Sequence, residues 1–437
     1  MISEEENGME QSVAGKKLLI MGGRPAATPD IVRAARGLGV YTIVTDNVAP
    51  ERSPAKLMAD EYWDISTAEV ERLAERVRDE GVDGIFTGVH EFNLKRTKEL
   101  CALCGKPFYA SEEQLRLNFD KVFFKESCKR AGIDVPESYA VTPDLKEDEL
   151  RALRYPLIVK PRDGGGGVGV TICTDEAELR QAVALAVRES PSGQIVAEEY
   201  VVGREVTAVY VIKDGVISFV CLRDRYPTKE HERVTSQYDL SLMPSKYMDL
   251  FLRQSDPGFR RLLARVGASN GCVFFQGIAA PDRITFFECG YRLNALCDYH
   301  NIRDAYGVDY LEMMIRFALT GSMGEGALRE IYSDMRGYSG IFNMTARSGV
   351  IGRLSGREQV LALENVLAAE YLKTEGDVIA DDAAMTQSVF RAHIRGRDLE
   401  ELAEVIRAIQ SLARVEDAES RDMLFCPFDV RRLHEPF

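Results

Sequence analysis

Short apolar runs alternate with amphipathic segments over the first hundred residues. Lys17-Leu-Leu-Ile-Met21 reads as a strand buried on both faces, and it stops at Gly22-Gly23. Ile31, Ala34, Ala35 and Leu38 then share one helical face that ends at Gly39. Tyr41-Thr-Ile-Val-Thr45 is a second strand, and 82–87 is a third. Between them Ser66-x-x-Glu69 predicts a capping box, opening a helix with Val70, Leu73, Ala74 and Val77 inward. Strands alternating with helices predict a parallel α/β sheet wound in βαβ units. Ser111-x-x-Gln114 opens a further helix, and Asp120-Lys121 begins an amphipathic stretch that runs to Gly132.

From about residue 155 the pattern changes to strands joined by glycine-rich and charged turns: 157–160, 168–172, 195–200, 207–212 and 216–221. Two later strands, 273–278 and 284–288, flank Pro281-Asp282-Arg283, and a helix follows over 310–319. Beyond about 330 the chain predicts a separate α+β module, in which Leu402, Val405, Ile406, Ile409 and Leu412 mark one amphipathic helix. The organisation read from this pattern is a disordered lead-in over 1–15, a parallel α/β domain over 16–115, a central region over 116–325 and a C-terminal α+β module over 326–437.

Composition narrows the function classes. The chain has 437 residues, 45% hydrophobic and 28% charged, which supports packed cores in more than one domain. Its net charge of −14 argues against a nucleic-acid partner, since phosphate backbones need a basic face. No apolar run approaches the roughly 20 residues of a membrane span. The polar, acidic start lacks the basic and apolar regions of a signal peptide. Nine scattered cysteines without framework spacing read as reduced thiols, so the expected location is cytoplasmic. The pair Cys101-Ala-Leu-Cys104 falls in a helical pattern and reads as packing. The histidines show no zinc-ligand spacing.

The densest chemical signal is Lys160-Pro-Arg-Asp-Gly-Gly-Gly-Gly-Val-Gly169. A lysine ends an apolar strand, and Gly164, Gly165, Gly166, Gly167 and Gly169 follow. Backbone amides in such a loop can close on phosphate oxygens because no Cβ intervenes, and Lys160 adds a point charge. It is not a Walker A loop, because the G-x-x-x-x-G-K-[ST] spacing is absent. A plain hairpin with a snorkelling lysine is the alternative. Glu198-Glu199-Tyr200-Val201 and Glu205 follow, where an exposed strand end can pair with an adenine edge and a carboxylate can take ribose hydroxyls. Antiparallel pairing of the two late strands would set Gln276 beside Glu288, an oxygen pair suited to magnesium carrying phosphates, with Arg292 four residues on. A structural Glu–Arg ion pair is the other reading. The stretch 223–233 is rich in carboxylate-binding groups, among them Arg223, Arg225, His231 and Arg233, and it reads either as a substrate site or as a solvated charged loop. The mouth of the first sheet, at Gly22–Arg24, Asp46 and His90-Glu91, is a further small-ligand surface, although Asp46 reads first as a turn residue.

In this order the elements resemble the ATP-grasp superfamily over most of the chain. The resemblance implies a pre-ATP-grasp domain followed by a two-part ATP-grasp fold with a mobile lid near 125–205. It implies ATP and magnesium, or manganese, as cofactors. Lys121 and Lys160 would contact the ATP phosphates and the 164–169 loop would cover them. The Glu199–Val201 backbone would read adenine, with Glu205 on the ribose, and Gln276 and Glu288 would hold the metal. Arg292 and Lys160 would serve catalysis, and Arg223, Arg225, His231, Arg233 and Asn294 would face the substrate. The segments Thr345-Ala-Arg347-Ser-Gly349 and Tyr371-Leu-Lys-Thr-Glu-Gly376 are similar to the C-terminal module of L-amino-acid ligases. One departure stands out: the family pattern Glu-x-Asn-x-Arg is here Glu288-Cys-Gly290-Tyr-Arg292, which lacks the asparagine ligand.

The implied reaction activates a small, amino-acid-like carboxylate as an acyl phosphate for attack by an amine, with release of ADP. Both partners would be small molecules, and a homodimer is compatible with the pattern. Two alternatives stay open: bicarbonate activation of the carboxylase or carbamoyl-phosphate type, prompted by Gln276, and a non-catalytic nucleotide sensor, prompted by Gly290.

Overall fold

The computed structural model describes residues 12–23, 27–163, 168–228, 238–328, 332, 335–380, 387–425 and 427–435. Residues 1–11 of the lead-in expected over 1–15, the glycines 164–167, and His231 and Arg233 therefore lie outside the described residues, whereas Val13 is buried and the Gly15 amide bonds the Gly39 carbonyl at 2.8 Å, so the end of that stretch is ordered.

Four parallel strands form the first sheet: β1 (Lys17–Met21), β2 (Tyr41–Thr45), β3 (Glu61–Trp63) and β4 (Gly84–Thr87), in the order β3-β2-β1-β4. The runs are apolar because helices cover both faces. Leu18, Ile20 and Val44 pack into one core, and Leu19, Met21 and Ile43 into another with Leu73 and Val77. The 66–69 box differs from expectation. Glu69 reaches back to the Ser66 amide at 3.1 Å, but Ser66 Oγ takes the Ala68 amide, so these residues form a turn and the helix begins at Val70. At Ser111 and Gln114 both halves of the box are present.

The lid is a second, antiparallel sheet of β5 (Ser138–Tyr139), β6 (Leu157–Pro161), β7 (Thr171–Cys173) and β8 (Ile195–Glu199), in the order β5-β8-β6-β7. The helix Glu176–Glu189 covers it through Leu179 and Val183. The lid is shorter at its start than the span 125–205. The helix Lys121–Ala131 packs on Asp256–Arg265, and its Phe124 and Cys128 belong to the main core. Gly132, at φ 72°, closes that helix in the left-handed conformation before the chain enters the lid.

The third sheet joins what the sequence divides. It contains β9 (Arg204–Lys213), β10 (Val216–Pro227), β11 (Tyr238–Met243), β12 (Gly271–Ala279), β13 (Ile284–Gly290) and β14 (Tyr338–Thr345), together with the strands Ser388–Gly396 and Val366–Tyr371. Their order is β13-β12-β9-β10-β11-β14, then Ser388–Gly396 and Val366–Tyr371. The segment beyond 326 shares this sheet, because β14 pairs antiparallel with β11 and continues one eight-stranded sheet, while its apolar residues form a core of their own with Tyr226, Leu240 and Leu242. An unpaired β11 would leave a row of open amides and carbonyls, and β14 satisfies them. Asp398 caps the helix Leu399–Leu412, whose Leu402, Ile406 and Ile409 bury against this end of the sheet.

Candidate active site

One cleft of about 250 Å³ lies between the lid and the large sheet. Strand alternation builds its floor: Phe274, Gln276 and Ile278 on β12 all line it, at the period of two that points side chains to one face. The β12–β13 register sets Gln276 opposite Glu288, as the hairpin reading anticipated, and the β12–β9 register sets Gln276 opposite Thr207. Lys160, Val168, Glu199, Tyr200 and Val201 come from the lid side, Glu205 and Arg225 from β9 and β10, and Arg292 and Asn294 from just beyond β13. Lys121, the first residue of a helix capped by Asp120, also lines the cleft.

The lid and core meet through two lysines on one carboxylate. Glu198, 1% exposed, takes Lys160 Nζ at 2.8 Å and Lys125 Nζ at 3.2 Å. Burial pushes the Glu198 carboxyl up, but the two ammoniums outweigh it and hold it below the usual range. Burial pushes the Lys125 ammonium down, against the pull of Glu198. Lys160 is only 5% exposed, so it is part of the buried lid–core junction rather than a loose charge at a strand end. Lys125 was not singled out from sequence. It sits four residues after Lys121 on the same helix, and that spacing puts both lysines on one face. Burial also pushes the Lys121 ammonium down, partly offset by Glu288.

A second chain of contacts runs Glu205–Arg225–Gln276–Glu288. Arg225 pairs with Glu205 and lies 3.8 Å from the Tyr238 ring centroid. With its amide set by its neighbours, Gln276 accepts from Arg225 Nη1 at 2.6 Å and donates to Glu288 Oε2 at 3.0 Å. In this arrangement Gln276 bridges Arg225 and Glu288. Burial pushes the Glu205 carboxyl up, and nearby Glu288 adds to the rise. Among the described residues no group of three or more acids, histidines or cysteines is placed to hold a metal. A site with one oriented carboxylate still suits magnesium, which keeps several waters and takes phosphate oxygens as its other ligands.

Arg292 lies over the Phe274 ring at 5.2 Å and reaches Glu91 at 3.4 Å, so the mouth of the parallel sheet adjoins the cleft. Its Nε has no partner. Asp46, by contrast, closes a turn: it takes the Gly23 amide at 2.8 Å and Lys56 Nζ at 2.9 Å. Arg223 is a correction. It is not among the residues lining the cleft but is buried at 1% exposure, paired with Asp298 at 2.7 Å. Of the three backbone amides expected to read adenine, those of Glu199 and Tyr200 already bond to the Glu137 and Pro156 carbonyls. That leaves the Val201 amide and the carbonyls of the segment.

Gly290 accounts for the missing asparagine. A Cβ built there would fall 2.1 Å from Phe274 Cζ, so the ring occupies the space a side chain would need. The helix holding Cys101 and Cys104 keeps both thiols protonated, with burial pushing Cys101 up to about 12, as expected of packing residues.

Comparison with known proteins agrees with this fold. Residues 120–323 match the family model described as carbamoyl-phosphate synthase L chain, ATP binding domain. The chain is 27% identical over 226 residues to the 2-oxoglutarate carboxylase small subunit of Hydrogenobacter thermophilus, which is 48% of each protein, so the match spans about half of that relative. It is similar in structure to the biotin carboxylase domain dimer of the Hydrogenobacter thermophilus 2-oxoglutarate carboxylase, in complex with MgADP, ADP and bicarbonate. The TM-score is 0.72 at 20% identity, covering 92% of this chain and 90% of that one. The L-amino acid ligase of Bacillus licheniformis gives a TM-score of 0.72 at 17% identity, covering 92% and 98%. Among the described residues no helix is long and apolar enough to cross a membrane.

Proposed function

Since this chain belongs to the ATP-grasp superfamily, we propose that it is an ATP-dependent, ADP-forming ligase that activates a small, amino-acid-like carboxylate for attack by an amine. One observation carries the reading: two lysines, one oriented carboxylate and an arginine from three separate segments line a single cleft. Lys121 and Lys160 take the ATP phosphates, the Val201 backbone takes the adenine edge, and Glu205 stands at the ribose. Glu288 is the protein ligand for magnesium, with Gln276 holding its other oxygen. Magnesium, when bound, neutralises charge on the phosphates.

Arg292 binds the acid's carboxylate beside the γ-phosphate. A carboxylate oxygen attacks the γ-phosphorus, the bond to the bridging oxygen breaks, and ADP leaves. The amine nitrogen then attacks the acyl carbon, phosphate departs with the bonding pair, and the nitrogen sheds its proton. The lid excludes water, which would otherwise hydrolyse the acyl phosphate. The Lys125–Glu198–Lys160 junction sets the Lys160 ammonium where that lid meets the core. No side-chain nucleophile is needed.

The test is ADP and phosphate release across a panel of paired acids and amines. Release that needs both members supports the proposal. Release driven by bicarbonate alone selects a second reading, favoured by the carbamoyl-phosphate-synthase match and the bicarbonate in the Hydrogenobacter complex. ATP binding with no release in any mixture selects a sensor. That structural relative is a dimer, and we extend the homodimer to this chain, to be checked by sedimentation.

A further inference from the structure

A second cavity, of about 380 Å³, lies at the far end of the large sheet, between β11, β14, the helix Leu399–Leu412 and the segment 422–428. It is separate from the catalytic cleft. Tyr238 and Asp239, consecutive on β11, line different cavities, as strand alternation allows. Neither the proposed reaction nor the ATP site uses any of its residues.

Its lining has a polar floor, aromatic walls and a mouth that carries both Arg347 and the exposed Asp422, whose carboxylate takes the Leu424 amide at 3.0 Å. On the floor, Asp239 is 7% exposed; the Thr228 hydroxyl donates to its carboxylate at 2.8 Å, and the Arg432 guanidinium, 5.4 Å from the Phe428 ring, also acts on its charge without entering a salt bridge with it among the described residues. Thr345 is 4% exposed, and its hydroxyl has no partner among the described residues. A hydroxyl left bare in a buried position is costly unless something supplies the missing bond. The walls are the rings of Phe342, Phe425 and Phe428. Gln410 fixes Phe428 in place by accepting from its amide at 2.6 Å. At the mouth stands Arg347, exposed, its guanidinium 5.7 Å from the Phe425 ring and in no ion pair among the described residues.

We propose that this cavity binds a dipeptide-sized zwitterion, its amine toward Asp239, its apolar side chain among the phenylalanines and its carboxylate toward Arg347. Charge sets the polarity: a buried carboxylate calls for a cationic donor, and a guanidinium calls for a carboxylate. Length sets the size. Leu240 pairs with Phe342, so Asp239 lies near Asn343, four residues before Arg347. At strand spacing those four residues span roughly 13 Å. A single amino acid, whose amine and carboxylate share one carbon, cannot bridge that span. Two residues extend about 7 Å, and the Asp239 and Arg347 side chains take up the rest. Thr345, between the two ends, is placed to bond the central amide. The binding does not depend on the reaction proposed for the first cleft.

The experiment is calorimetric titration of the full-length protein with L-alanyl-L-phenylalanine, alongside its N-acetyl and C-amide derivatives. Saturable binding of the free dipeptide is expected, weakened at least tenfold by either derivatisation. Arg347→Ala should weaken the dipeptide to the level of its C-amide, and Asp239→Asn to the level of its N-acetyl form. Magnesium-ATP titrations of the same variants should match the wild type, which shows that they are folded and the first cleft intact. Absence of saturable binding at millimolar dipeptide overturns the proposal. So does binding indifferent to both variants, or binding lost instead in Lys121→Met, which would place the ligand in the first cleft.

Discussion

Gly290 offers the sharpest test of how the catalytic floor is built. The β12–β13 register sets it directly opposite Phe274. A Cβ at 290 would lie 2.1 Å from the ring's Cζ and 2.3 Å from Cε1, whereas ordinary contact starts near 3.4 Å, so the ring must retreat by about 1.3 Å. Phe274 is 6% exposed, and the Arg292 guanidinium rests over it. The ring cannot move without taking Arg292 along. Overpacking of this kind costs about 1–3 kcal/mol. Gly290→Ala should therefore lower Tm by several degrees, and it should cut ADP release more than it weakens ATP binding, because Arg292 faces the acid. Phe274→Leu frees the space. The double variant Gly290→Ala/Phe274→Leu should be more stable than the sum of the single effects, with a coupling of about 1 kcal/mol or more. Thermal melts and a magnesium-ATP titration on all four proteins measure it. Additive melting shifts, or a Gly290→Ala variant as stable as the wild type, would refute the packing argument. Gly290→Asn, which would restore the family's ligand, should fail for the same steric reason unless Phe274 is reduced as well.

Glu288→Gln should abolish magnesium-dependent ADP release, whereas Gln276→Ala, acting only through Glu288, should weaken the magnesium requirement by about 10–100-fold; a magnesium titration of turnover orders the two. Lys125→Met leaves buried Glu198 with one cation, so the protein should lose about 1–3 kcal/mol by denaturant melting and bind ATP less well as Glu198 holds Lys160 more tightly; unchanged stability would remove Lys125 from the junction. Burial pushes the Asp239 carboxyl up to about 6, so its contribution to stability is full below pH 4 and is lost as the pH rises through 6. The loss amounts to up to about 3 kcal/mol, and Asp239→Asn should flatten that part of the Tm–pH profile; parallel profiles would count against it.

Local order was legible in the sequence where one short pattern decides it. The apolar runs at 17–21 and 41–45 could only be two-face-buried strands, and the turn 281–283 fixed the hairpin that sets Gln276 beside Glu288. The same hairpin register also puts Phe274 opposite Gly290, so the reason for the glycine was available from residues already in view. Lys125 was readable too, one helical turn beyond Lys121. What stayed hidden depends on contacts distant in sequence. The pairing of β11 with β14 joins residues about a hundred apart, and no periodicity announces it. Arg223 and Arg225 look alike along β10 and both are buried; what separates them is the partner, Asp298 from beyond β13 for Arg223 and Glu205 for Arg225. The link from Gln276 to Arg225 was equally hidden, because it joins two strands about fifty residues apart.

The central claim is that the cleft between lid and sheet holds magnesium ATP on its lysines. Calorimetric titration of ATP with and without magnesium, into wild type, Lys121→Met and Arg347→Ala, tests it most directly. The account predicts one magnesium-dependent site per chain, weakened at least tenfold in Lys121→Met and unchanged in Arg347→Ala. No ATP binding, or equal affinity in the wild type and Lys121→Met, would contradict it.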